Sequence, residues 1–435
     1  MRGLYPEAGW TIPQVHRQVA LGHLPRYSWD VMQALGQYTL AMATWSSRQL
    51  LEVMVEFWSN HLNVASPSDG VWDSRQDYDR RVIRPHALGK YSAMLAASAA
   101  HPAMLAYLNQ AESTRMAPNE NYGRELLELH TVGVHAGYSE AMVLDSARLM
   151  TGYTIQFDER RPRFGEYRYD PSIHWRGHVR VLGFSHSNTT ADGRAVVGTY
   201  LDYLAHHPAT ARSIARKVAV RFVSDEPTQA LVNHLASVYL ASDTAIAPVL
   251  RALFVSREFA AADGAKVRRP YEDLVATLRA LGYRLLPRHA GAQARRKGPE
   301  ALYWIASALQ QAPLAWTQPD GYPDTADAWG AAGGLLHRWN MHQSLAGGWW
   351  PAKDRILVPQ LPSLLPRTLT TYGALIASLA ARLTGEHLPA RDAATVLAFL
   401  GKAPNDHVHS GDPAVTWDLV RTVALLLDTA NHELR

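Results

Sequence analysis

PNENYGRELLELHTVGVH, residues 118–135, is the stretch from which the rest of the chain is read. Pro118 ends what precedes it and Asn119 is a favoured N-cap, so a helix is predicted to begin at about Glu120. At about 100° per residue, Glu120, Arg124, Glu128 and Thr131 share one narrow sector, while Tyr122, Leu126 and Leu129 fall on the other side. Two carboxylates therefore flank one guanidinium. Glu125 stands off this stripe beside Asn121, His130 rides near the end of the helix, Gly133 is the expected stop, and His135 lies just past it.

A helix with an apolar side needs neighbours, and the flanking sequence supplies them. Apolar residues recur at helical spacing over residues 28–58, with a break near 44–47, and again over about 75–83 and 85–100. Pro102 suits the first position of another helix after His101. Short turns between these segments imply antiparallel packing around the 118–134 helix. A helix over 139–151, with Ser139 as its cap, follows. Helical periodicity then stops: FGEYRYD and HVRVLGF alternate like strands about PSIHWRG, which predicts a small inserted β-hairpin around residues 165–184. The chain is helical again from Tyr200, where His207 before Pro208 reads as a capping residue. RHAGAQARRKGP, residues 288–299, reads as a mobile loop, and a long helix is expected over 329–345. The fold class is mostly α: one multi-helix globular domain over 1–435, with a motif-bearing core over 45–260 and a helical part over 270–435 packed on it.

Composition narrows the chemistry. The 435 residues are 47% hydrophobic and 19% charged, with 43 basic and 39 acidic residues well mixed, so nucleic acid is not an expected partner. No cysteine is present, which excludes disulfides, thiolate nucleophiles and cysteine-ligated metal clusters. No stretch reaches the roughly 18–20 apolar residues of a membrane span and the N-terminus has no apolar signal segment, so the chain as written is expected in the cytoplasm, or outside it as a mature exported form. Oligomeric state stays open. Histidine (20) and tryptophan (13) are abundant, which suits proton transfer or metal binding on the one hand and sugar stacking on the other. No glycine-rich nucleotide loop, GxSxG elbow or HExxH motif occurs.

NENYGRELLELHTVGV, continued by GYSEAMVLDSARLMTGYT, resembles the signature of a large bacterial family known as domain of unknown function 1800. The resemblance extends to FWSNHLNV (57–64), RPHALGKYSAML (84–95), HPAMLAYLNQ (101–110), YDPSIHWRGHVRVLG (169–183), HPATARSIARKVAVRFV (207–223) and GYPDTADAW (321–329), in the family's order. It implies no particular reaction. It does imply a longer N-terminal helical region and, in many members, export. Where the family's pattern commonly has an aspartate after the histidine of the hairpin, this chain has Trp175 after His174, which weakens any His–Asp pairing there.

Three functions stay open. The first is a hydrolase of a glycan-like substrate with paired carboxylates: Arg124 holds one of Glu120, Glu125 and Glu128 ionised while a more desolvated one donates a proton, and His61 or His174 serve as further proton carriers. The second is a divalent or iron-type metal centre drawing on His61, Glu125, Glu128, His135 and His174. The third is a non-catalytic helical binding or scaffold protein in which the motif is a buried polar network. Glu128, Glu125, Arg124, His61 and His174 are expected to converge, with Asn119, Asn121, Trp58, Asn63 and Trp175 as substrate contacts.

Overall fold

Proline and capping side chains start several helices where the sequence places them, although Ser139 makes no side-chain cap bond to the Glu140–Met150 helix. His101 and His207 each stand before a proline, and the ring Nδ1 of each accepts a first-turn backbone N–H, from Ala103 and Ala209, at 3.2 Å. A computed structural model describes residues 3–286, 297–350, 356–358 and 360–435; most of the 288–299 loop expectation lies outside them. Within the described residues helices make up a little over half of the chain, and the strands form three two-stranded antiparallel sheets. No helix there is long and apolar enough to cross a membrane.

Two large apolar cores carry the fold. The first runs from Met54 to Leu253 and includes Trp58, Tyr91, Leu126 and Ile214. The second includes Leu40, then Tyr271 through Leu427. The Asp30–Trp45 helix thus belongs in part with the C-terminal helices, packing on Pro270–Leu281 and Lys297–Ala308, although it precedes the motif-bearing segment in sequence. A buried ion network joins the two cores. Glu56 receives Arg221 at 3.1 Å and Arg269 at 3.0 Å, and Arg269 also holds Glu272 at 3.2 Å.

The strands form near the expected positions but pair differently. Tyr167–Tyr169 pairs with Tyr153–Ile155, and Val179–Val181 pairs with Phe184–His186, so the single hairpin is two separate ladders. The reason is local. Leu182 and Gly183 both adopt positive φ, 49° and 94°, the requirement of a tight two-residue hairpin turn, which folds Val179–Val181 back at once.

The 118–135 stretch also differs from an ideal helix. Asn119 caps it, its Oδ1 accepting the Tyr122 N–H at 3.1 Å, and six α-helical residues follow, Glu120–Glu125. Leu126–His130 then widens into a π-turn. The wider turn rotates everything after Glu125, so Leu127 and His130 are buried while Leu129 is only half-buried. Gly123 fixes how closely this helix sits on Glu140–Met150: a Cβ there would lie 2.7 Å from the Val143 carbonyl oxygen.

Candidate active site

The carboxylates of the 118–135 stretch separate into two environments. Arg124, half-exposed, pairs with Glu140 and more loosely with Glu128 at 3.5 Å, while Glu120 is exposed and outside this pairing. Glu125 is half-buried. Its carboxyl is pushed up first by burial and then by the charges of Glu128 and Asp320.

Asp320 belongs to a cavity of about 350 Å³ that three distant segments enclose. The Gln49–His61 helix brings His61, the Pro208–Phe222 helix brings Ser213, Arg216 and Lys217, and a loop brings Asp320 and Tyr322. The loop is held by asparagines. Asn60 donates to the Tyr322 carbonyl at 2.7 Å and accepts its N–H at 2.6 Å, while Asn63 donates to the carbonyls of Trp316 and Gln318 at 3.0 and 2.6 Å. Trp316 in turn donates to Asp320 at 2.8 Å. Gly321, at φ 77°, passes so close that a Cβ would stand 2.3 Å from the Asn60 carbonyl oxygen.

Lys217 is the group that gives the cavity its chemistry. Its ammonium donates to His61 Nδ1 at 2.9 Å and to the Leu129 carbonyl at 3.3 Å, and no carboxylate of the described residues pairs with it. Burial lowers its pKa to about 8, with the charge of Asp320 opposing the shift. His61 is fixed from its other side: Nε2 lies 3.0 Å from Tyr91 Oη and 3.2 Å from the His130 carbonyl. Since Tyr91 donates its own proton to that carbonyl, His61 carries hydrogen on Nε2 and turns the Nδ1 lone pair to Lys217. Burial, then the Lys217 and His130 charges, hold His61 well below the usual imidazole range. His130 is pushed down to about 3 by burial and by Lys217, and its buried Nε2 has no partner among the described residues.

The other expected residues lie elsewhere. His174 is buried against Thr151 and Asn188, at 2.8 and 3.0 Å, and a Cβ on Gly193 would touch its ring at 2.3 Å; it packs the strand region and does not line the cavity. Trp175 lies under Arg148, whose guanidinium is 4.6 Å from its ring centre. Trp58 is fully buried, stacked on Tyr91 with its N–H on the Ala87 carbonyl, which removes it as an open sugar platform. Asn119 is consumed as a cap, Asn63 as a loop anchor, and Asn121 and His135 are exposed. The five-residue convergence therefore does not form: of the five only His61 lines the cavity, Arg124 and Glu128 pair on the solvent side, and His174 is held against Thr151 and Asn188.

Lys217 and Asp320 were missed from sequence. A signal existed: Ser213, Lys217 and Arg221 recur every fourth residue along a helix otherwise rich in Ala, Ile and Val, which is a polar stripe on a buried element.

Among the described residues, one set of three His and Asp brings its ligand atoms within 4.8 Å, and it contains none of the sequence candidates: Asp273, His342 and His432, all buried. Both imidazole Nε2 atoms lie 3.0 Å from Asp273 Oδ1, Arg338 Nε takes Oδ2 at 2.7 Å, and Asp428 meets His342 Nδ1 at 2.7 Å. With Arg338 already on the central carboxylate, the set is a hub of opposite charges rather than an open metal pocket.

The arrangement defines a mostly α protein with a partly enclosed lysine–histidine cavity between its helices. The chain belongs to the family described as protein of unknown function (DUF1800), whose model matches residues 11–432. No curated protein and no solved structure matches it.

Proposed function

We propose that the chain is a hydrolase that works by acid–base catalysis in the Lys217–His61 cavity on a small, hydroxyl-rich, glycan-like substrate. The observation that carries this reading is Lys217 itself: a largely enclosed amine, hydrogen-bonded to a neutral imidazole and paired with no carboxylate of the described residues, at the wall of a cavity large enough for a small molecule. A structural lysine gains from a counter-ion; a lysine that must lose its proton near neutral pH is better without one.

In this mechanism the free amine of Lys217 removes a proton from the attacking water, and His61 holds the amine in place through Nδ1. Glu125, which keeps its proton to higher pH than an ordinary glutamate, supplies the proton to the leaving oxygen. Asp320, whose charge is felt by both Glu125 and Lys217, orients water and substrate hydroxyls. Two carboxyl groups in different environments suit glycoside cleavage, and Tyr322 and Phe57 give the cavity an aromatic side.

The test is a panel of chromogenic glycosides and esters assayed with the parent chain, Lys217→Met and Glu125→Gln. Hydrolysis should fall by about 100-fold or more in both variants while their melting temperatures stay at or above the parent's. Turnover that survives in Lys217→Met would remove the reading.

A further inference from the structure

The geometry points to a second capacity of the same cavity: Lys217 is a nucleophile that condenses with a small hydroxylated aldehyde or ketone to form an imine. This rests on the reading of the cavity as the active site, and it names the functional group the site can capture. Three observations carry it.

The first is chemical choice. Only six of the chain's 43 lysines and arginines are lysine. Arginine cannot become a free amine at ordinary pH, so in a chain that otherwise uses it for cationic positions a lysine at the cavity wall retains the one property arginine lacks. The second is the contrast with other lysines. Lys90 is paired with Asp243, and buried Lys266 is paired with Asp225 and also donates to the Asp324 carbonyl at 2.8 Å. Lys217 has instead a ring nitrogen and a carbonyl oxygen. The third is the proton path. His61 Nδ1, 2.9 Å away, bears a lone pair aimed at the amine, and Nε2 is locked by Tyr91 and the His130 carbonyl so that the ring cannot turn away.

The step balances without any oxidant or reductant. The Lys217 lone pair forms a bond to the carbonyl carbon, and the C=O π pair moves to oxygen. His61 Nδ1 takes one amine proton and returns it to that oxygen, giving a carbinolamine. The second nitrogen proton follows the same route as the C–O bond breaks, so the oxygen leaves as water and a C=N bond remains. A hydroxylated carbonyl fits the lining, where Ser213 and Asp320 can hold hydroxyl groups. The open-chain form of a reducing sugar, which glycan cleavage would release, belongs to this class.

The experiment treats the full chain with glyceraldehyde and sodium cyanoborohydride, which fixes imines as secondary amines, and maps the modified lysines by peptide mass spectrometry. Modification at Lys217 should exceed that at exposed Lys90 by about tenfold or more, rise with pH through about 8, and fall by a similar factor in His61→Asn. Lys217 modified no faster than Lys90 overturns the inference, and needs no variant to fold. The outcomes separate the two claims. No Lys217 adduct with hydrolysis lost in Lys217→Met leaves the amine as a base alone and defeats the imine. A Lys217 adduct with hydrolysis intact in Lys217→Met supports the nucleophile and defeats the hydrolase.

Discussion

Two buried polar clusters, one in each core, are built from similar residues and resolve their charges in opposite ways. In the C-terminal core Asp273 gathers Arg338, His342 and His432, and Asp428 closes on His342, so each charge touches an opposite one. In the N-terminal core Lys217 meets a neutral imidazole and a backbone carbonyl, and its free side faces a cavity. The first arrangement is costly to break and offers nothing to a substrate. The second is strained as a protonated lysine and gains by giving up its proton. The two groups titrate in opposite directions: the two carboxylates raise His342 to about 9, and burial lowers Lys217 to about 8.

The largest effect expected is at the paired cluster. Asp273→Asn leaves Arg338 and His342 facing a neutral group in the interior and should cost about 3–5 kcal/mol in urea unfolding. Loss below about 1 kcal/mol would mean the cluster is not a stabilising hub. At Lys217 the sign reverses. Lys217→Met removes a poorly solvated charge and should raise stability by about 1–2 kcal/mol at neutral pH while hydrolysis is lost. Destabilisation there would make the two clusters alike and break the comparison.

The pH dependence separates them again. His342, raised in the folded chain, contributes stability that is complete below its ordinary 6.5 and disappears as pH climbs through about 9. Lys217, lowered to about 8, does the reverse: the cost of burying its charge is complete below about 8 and is relieved as pH rises toward its ordinary 10.5. Between about pH 8 and 9, Lys217→Met should steepen the loss of stability with rising pH, and His342→Gln should flatten it, as read from urea midpoints. Gly321→Ala should come next, costing about 1–2 kcal/mol through its φ of 77° and the close Asn60 carbonyl, and lowering turnover by displacing Asp320. The smallest effect belongs to Arg124→Ala, whose pairs with Glu140 and Glu128 are solvent-facing; urea unfolding should change by less than about 0.5 kcal/mol.

The helical class, the cap at Asn119 and the N-terminal roles of His101 and His207 were legible because each depends on residues a few positions apart. His61 was a candidate from the sequence, and it lines the cavity. The partner set was not legible, since His61, Lys217 and Asp320 are separated by more than a hundred residues each and meet only through packing of distant helices and one loop. A helical wheel drawn through 118–135 also fails past Glu125, where the π-turn changes the angle per residue. FGEYRYD and HVRVLGF were readable as strands, but their pairing was decided by the positive φ of Leu182 and Gly183, which alternation does not reveal.

Lys217 gives up its proton at about pH 8, well below an ordinary lysine, and above that pH presents an uncharged amine to the cavity. The direct test is the pH profile of amine acylation at Lys217 in the folded chain, read by mass spectrometry against exposed Lys90. The Lys217 midpoint should lie near 8, more than two units below the ordinary lysine value of 10.5, with reaction at Lys217 already substantial at pH 8. A Lys217 midpoint at or above the ordinary 10.5, or no reaction at Lys217 up to about pH 10, would contradict it.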